Sequence, residues 1–160
     1  MPLKLAPLNL ATVVNEACGN QHYSAIEKDI VIATAIVERA WITADYDQLI
    51  QVFQNLLSNA IKFSPRDSVI RVNLSETDRG FRVDIIDQGP GISAEFAGQI
   101  FERFAQPDTS TGRTYGGTGL GLHLSRSIIV KLGGRLAYRN EETGCRFYVE
   151  LPGTGDNVTP

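Results

Sequence analysis

The sequence predicts a two-layer α/β sandwich, a mixed β-sheet of about five strands with about three helices on one face. Three observations lead there. Residues 46–63 repeat apolar side chains at helical spacing and stop at Ser64-Pro65. Several short segments rich in β-branched and aromatic residues are separated by turn-like stretches. A long middle, 87–118, is rich in Gly, Pro, Ser and Thr, and a further helix and a hairpin follow it.

Taken in order, the first expected element is a helix over 9–28, with Leu10, Val13, Val14 and Ala17 on one face. Strands are expected over 30–36 (IVIATAI) and 41–43. The helix at 46–63 places Leu49, Val52, Phe53, Leu56, Leu57, Ala60 and Ile61 on one face. Strands at 69–75 and 81–86 flank the turn Thr77-Asp78-Arg79-Gly80. The middle holds one short helix near 94–101, and so long a stretch with little regular structure points to function. A helix then starts inside GTGLGL and ends at Gly133-Gly134. Strands at 135–139 and 145–151 form a final hairpin. The domain is expected to occupy 1–152, with 153–160 as a disordered tail.

Composition narrows the class. A chain of 160 residues with 42% apolar and 21% charged content is an ordinary soluble domain. Its net charge of −3 and lack of a basic run argue against nucleic-acid binding. Cys18 and Cys145 form no C-x-x-C pair and read as buried thiols in a reducing compartment. There is no signal-peptide pattern and no apolar run long enough to span a bilayer. A cytoplasmic location is expected, with or without a membrane anchor elsewhere in a parent chain.

Three motifs carry chemistry. Asn55, Asn59 and Lys62 are spaced four and then three apart, which puts them within about 60° of one another on the flank opposite the apolar stripe. Two amides and an ammonium in a row suit a metal-bound polyphosphate, because Asn offers a neutral oxygen to a hard cation and Lys offsets phosphate charge. A solvated helix face fits the same spacing. Asp87-Gln88-Gly89-Pro90-Gly91 follows a strand; its carboxylate can accept from an exocyclic amine, and its glycines let the backbone approach a ligand. An ordinary turn fits that too. Gly116-Gly117-Thr118-Gly119-Leu120-Gly121-Leu122 opens a helix, where bare N–H groups and the dipole favour phosphate. It is neither a P-loop nor a dinucleotide-binding turn.

In that order the three motifs resemble the ATP-binding domain shared by histidine kinases, DNA gyrase, mismatch-repair ATPases and heat-shock chaperones, the GHKL superfamily with its Bergerat fold. NLLSNAIKFSP looks like the N box of a histidine kinase, DQGPGI like the first glycine box, FERF like the F box and GGTGLGL like the second glycine box. The resemblance runs over roughly 8–151. It implies that Asn59 coordinates Mg²⁺, that Lys62 contacts phosphate oxygens, and that Asp87 holds the adenine amino group. Gly89, Gly91 and Ile92 would shape the loop around the base. The backbone of Gly117, Thr118, Gly119, Leu120, Gly121 and Leu122 would meet the triphosphate. Phe101 and Phe104 would anchor a lid over 107–115.

Asn55 separates the branches. The gyrase-type ATPases place a Glu at the matching position as base for the attacking water, and an amide cannot take that proton. The resemblance therefore favours a sensor histidine kinase, which hands the γ-phosphate to a histidine. Many such kinases carry an Arg where this chain has Gln106; Arg113 is the expected replacement, with Arg103 the other candidate. His22 and His123 do not match the phosphoacceptor pattern H-[ED]-x-x-[TN]-P, so the acceptor is expected on a dimerisation domain of the same or a partner chain. A response-regulator receiver domain would follow downstream, and the isolated piece would be a monomer. The rival readings are a degenerate regulatory module, a gyrase-like ATPase clamp, and a serine kinase of the anti-sigma type.

Overall fold

A computed structural model describes residues 2–102 and 121–154. The elements run β1 (Ala6–Asn9), α1 (Leu10–Asn20), α2 (His22–Glu27), β2 (Val31–Ile36), β3 (Trp41–Ala44), α3 (Tyr46–Phe63), β4 (Val69–Glu76) and β5 (Gly80–Asp87). After a single 3-10 turn at Ala97–Gln99 come α4 (Gly121–Lys131), β6 (Arg135–Asn140) and β7 (Cys145–Pro152).

The main sheet has five strands in the order β2-β4-β5-β7-β6. β2 pairs with β4 in parallel and the other neighbours are antiparallel, so the sheet is mixed. Helices pack on it, and the two-layer expectation holds. Alternation sorts the strand side chains between its faces. Ile70, Val72 and Leu74 on β4, Phe81, Val83 and Ile85 on β5, and Phe147, Val149 and Leu151 on β7 enter the core. They meet the apolar stripe of α3, with Leu49, Val52, Phe53 and Leu57 wholly buried.

The 18-residue helix α3 has the expected bounds because both its ends are capped. Asp45 accepts from the Gln48 N–H at 3.1 Å, and its other oxygen takes the Lys4 N–H at 2.8 Å. At the far end Lys28 Nζ donates to the Ile61 and Lys62 carbonyls at 2.9 and 2.8 Å, where a cation also suits the helix dipole.

Four expectations need correction. The single helix over 9–28 is two helices, because Gln21 leaves the helical conformation and its N–H turns back to Cys18 and Gly19. Neighbouring Gly19 and Asn20 are poor helix formers. The strand at 41–43 lies outside the main sheet: β3 pairs with β1, a four-residue strand containing Pro7, in a separate two-stranded sheet. The short helix near 94–101 is reduced to the 3-10 turn. Finally, Gly153 and Thr154 are tied down, donating to the Arg79 and Trp41 carbonyls at 3.2 Å each.

Candidate functional site

The polar flank of α3 is solvated only in part. Asn59 is only 7% exposed, and its Nδ2 has no hydrogen-bond partner among the described residues. The expected placement opposite the apolar stripe is therefore wrong for Asn59. Asn59 stands seven residues after the wholly buried Val52, about 20° from it on the helical wheel, and so lies at the edge of the stripe. Asn55 is half-buried and donates from Nδ2 to Ser125 Oγ on α4 at 3.3 Å. Lys62 is exposed, with Nζ 5.5 Å from the centre of the Phe63 ring.

The start of α4 lies against this flank. A Cβ on Gly121 would overlap Asn55 Oδ1, so only glycine lets the backbone come this close. Leu122 is buried in the core, which leaves its backbone as the part able to meet a ligand. The structure thus brings Asn55, Gly121 and Ser125 together.

The glycine loop lies at the other end of the flank. Asp87, the last residue of β5, is 7% exposed. Its Oδ1 accepts from the Gly89 N–H at 2.9 Å and from the Cys145 N–H on β7 at 3.3 Å, which fixes the carboxylate plane. Gly89 backs onto the end of α3: a Cβ there would stand 2.6 Å from the Phe63 carbonyl oxygen. Gly91 has φ +77°, and Ile92 is buried. A buried carboxylate, a buried amide nitrogen with no partner among the described residues, and two close-approach glycines therefore sit toward the ends of α3 and β5.

Several expected residues lie outside the described residues: Arg103, Phe104, Gln106, Arg113, Gly117, Thr118, Gly119 and Leu120, with the lid at 107–115. Phe101, at their edge, packs edge-on against Phe147, with centroids 6.2 Å apart, and against Tyr138. His123 Nδ1 lies 3.3 Å from the Phe101 carbonyl oxygen, and exposed His22 packs on Tyr23, so each has a local structural role. Both cysteines are free; burial pushes the Cys18 thiol up to about 11, which keeps it protonated at neutral pH.

One residue was missed from the sequence. The Asn140 carboxamide accepts from the Ile92 N–H at 2.9 Å and donates to the Ile92 carbonyl at 2.8 Å. Nothing local signals this, because the partners are 48 residues apart. Charged groups brace the hairpin beyond it: Arg146 bonds Asp84 at 2.9 Å and Glu141 at 3.0 Å. The Arg146 hydrogen bond is the main cause holding Glu141 below the usual carboxylate range.

The donor set fits a magnesium-bound nucleotide. Among the described residues no three His, Cys, Asp or Glu side chains gather into a metal cage. A cation here would take most of its ligands from phosphate and water, as Mg²⁺ habitually does. A carboxamide serves both halves of such a ligand, its oxygen for the cation and its N–H for phosphate. The orphaned Asn59 amide is a group of that kind.

Comparison with known proteins agrees. A family model described as histidine kinase-, DNA gyrase B-, and HSP90-like ATPase matches residues 44–155. The chain is 34% identical over 159 residues to hybrid signal transduction histidine kinase D of Dictyostelium discoideum, covering 95% of this chain and 10% of that protein. The catalytic domain of histidine kinase ThkA, nucleotide-free, superposes with a TM-score of 0.84 at 27% identity, covering 94% of this chain and 99% of that one. Full-length ShkA in complex with AMPPNP gives 0.82 at 28% identity, over 99% of this chain and 33% of that one. The chain spans 10% to 36% of the length of the first curated relatives it matches. It belongs to the histidine kinase-, DNA gyrase B- and HSP90-like ATPase family, as an ATP-binding catalytic domain of the sensor histidine kinase type.

Proposed function

We propose that this chain binds Mg-ATP and presents the γ-phosphate to a histidine on a separate dimerisation domain, from which a response-regulator receiver domain would take it. The carrying observation is the buried Asn59 Nδ2, which has no hydrogen-bond partner among the described residues. An amide left so costs about 1–3 kcal/mol, and a ligand that completes it recovers that cost.

Each residue then has a task. Asp87, its plane set by the Gly89 and Cys145 N–H groups, accepts from the adenine amino group. Gly89, Gly91 and Ile92 form the wall against the base. Asn59 and Lys62 face the phosphates, Asn59 offering its oxygen to the metal. Bound Mg²⁺ supplies charge neutralisation and orients the phosphate chain. Backbone N–H groups over 117–122 and a lid arginine, Arg113, complete the electrostatic cradle. Asn55, tethered to Ser125, holds the start of α4 and does not act as a base. Transfer would rest on positioning and electrostatics, with the acceptor imidazole brought from outside. Residues 1–152 would form this unit, extended by the tied-down Gly153 and Thr154.

Calorimetric titration of Mg-ATP into the wild type and into Asp87→Asn tests the reading. Micromolar-to-millimolar binding, lost in the variant, is expected. A folded wild type that binds no nucleotide would replace it with a regulatory module that uses only its surface.

A further inference from the structure

The loop 87–92 is held from the β6–β7 hairpin at both its ends. At one end the Cys145 N–H bonds Asp87, and Gly144, at φ +95°, packs so close that a Cβ would overlap the Asp87 carbonyl oxygen. At the other end Asn140 pairs with both backbone groups of Ile92. One side chain thus gives Ile92 what a neighbouring strand would give it, a donor and an acceptor at once. The loop needs such a partner, since it leaves the sheet after Asp87 and turns through the positive φ of Gly91. A Cβ on Gly91 would stand 2.9 Å from Asn140 Oδ1, so the amide also lies close against the turn.

We propose that Asn140 is a positioning residue for base recognition, holding 89–92 in the conformation that accepts the adenine ring. This rests on the nucleotide-binding reading above and adds a residue outside all four boxes. Asn140 is exposed and belongs to no part of the core, so its truncation leaves the sheet standing. What changes is the fraction of molecules whose loop is already in the binding conformation. Apparent affinity falls by that fraction.

The test measures the affinities of ATP, ADP and GTP for the wild type, Asn140→Ala and Asn140→Asp, with thermal unfolding of each. Asn140→Asp keeps the size and the acceptor for the Ile92 N–H but sets a carboxylate oxygen against the Ile92 carbonyl. Both variants are expected to melt within a few degrees of the wild type. Both should bind ATP and ADP about tenfold more weakly, with the ATP-to-ADP ratio unchanged and the preference over GTP narrowed. Unchanged affinities would overturn the proposal while leaving the nucleotide reading intact. A loss confined to ATP would place Asn140 at the phosphates and overturn it as well. Loss of folding in both variants would make Asn140 a structural residue, with the same result. A wild type that binds no nucleotide would remove the nucleotide reading and this proposal together.

Discussion

Asn59 sets stability against function. Its Nδ2, with no partner among the described residues, costs the empty domain free energy, and Ala is the better helix former. Asn59→Ala should therefore leave unfolding free energy equal to the wild type or raise it by about 1 kcal/mol. Mg-ATP affinity should fall at least about tenfold. Urea titration and calorimetry on the same samples check both halves; a variant that loses stability yet binds normally would contradict the assignment. The residue types here were legible in the sequence, since Asp87, Gly89, Gly91 and Asn59 sit in recognisable strings. The burial of Asn59 was legible too, in its seven-residue spacing from Val52, although the expected placement opposite the stripe passed over it. The clamp from Asn140 was not, because it depends on a segment 48 residues away, which no local pattern encodes.

α3 joins the two halves of the site, and its anchoring can be tested at each end. Asp45 is held below the usual carboxylate range, first by the Lys4 N–H and then by the Gln48 N–H. A depressed folded pKa means stability that is present above the unfolded value near ~3.9 and lost as pH falls through the folded one. Asp45→Ala should lower the melting temperature by about 2–4 °C at pH 7. The gap to the wild type should close below pH ~4. Toward the other end, Gly121→Ala must push Asn55 away from Ser125. Weaker Mg-ATP binding with little change in the core is expected, read by calorimetry and thermal unfolding. The bounds of α3 were legible because stripe, cap and Ser64-Pro65 stop agree. The break at Gln21 had one local sign, the poor helix formers Gly19 and Asn20, but the apolar spacing of α1 is compatible with continuation and masks it.

At the scale of the molecule, a mixed sheet covered by helices leaves the ends of β5 and α3 side by side, and the proposed nucleotide site lies there. Among the described residues no helix is long and apolar enough to cross a membrane. Alone, the chain should hydrolyse ATP far more slowly than ~1 s⁻¹ and should not phosphorylate itself, since Asn55 is an amide and neither His22 nor His123 matches the acceptor pattern. A coupled assay and radiolabelled ATP check this; turnover rivalling true ATPases would contradict the kinase reading. Light scattering is expected to report a monomer. The sheet itself was legible from alternating strands. Its partition was not: β1 was not expected at all, and only its pairing with β3 takes the expected strand at 41–43 out of the main sheet.

The bond between the Asp87 carboxylate and the Cys145 N–H spans 58 residues. At about 5–20 residues per second, the ribosome delivers Cys145 roughly 3–12 s after Asp87. In that interval β4 and β5 can close as a hairpin, while the carboxylate waits for β7. A nascent chain therefore lacks this part of the proposed nucleotide site until Cys145 has been made. ATP in the surrounding cell would stabilise the finished domain and no earlier intermediate. The ligand would then act as an inspector of this domain's assembly, favouring copies whose last strands are in place.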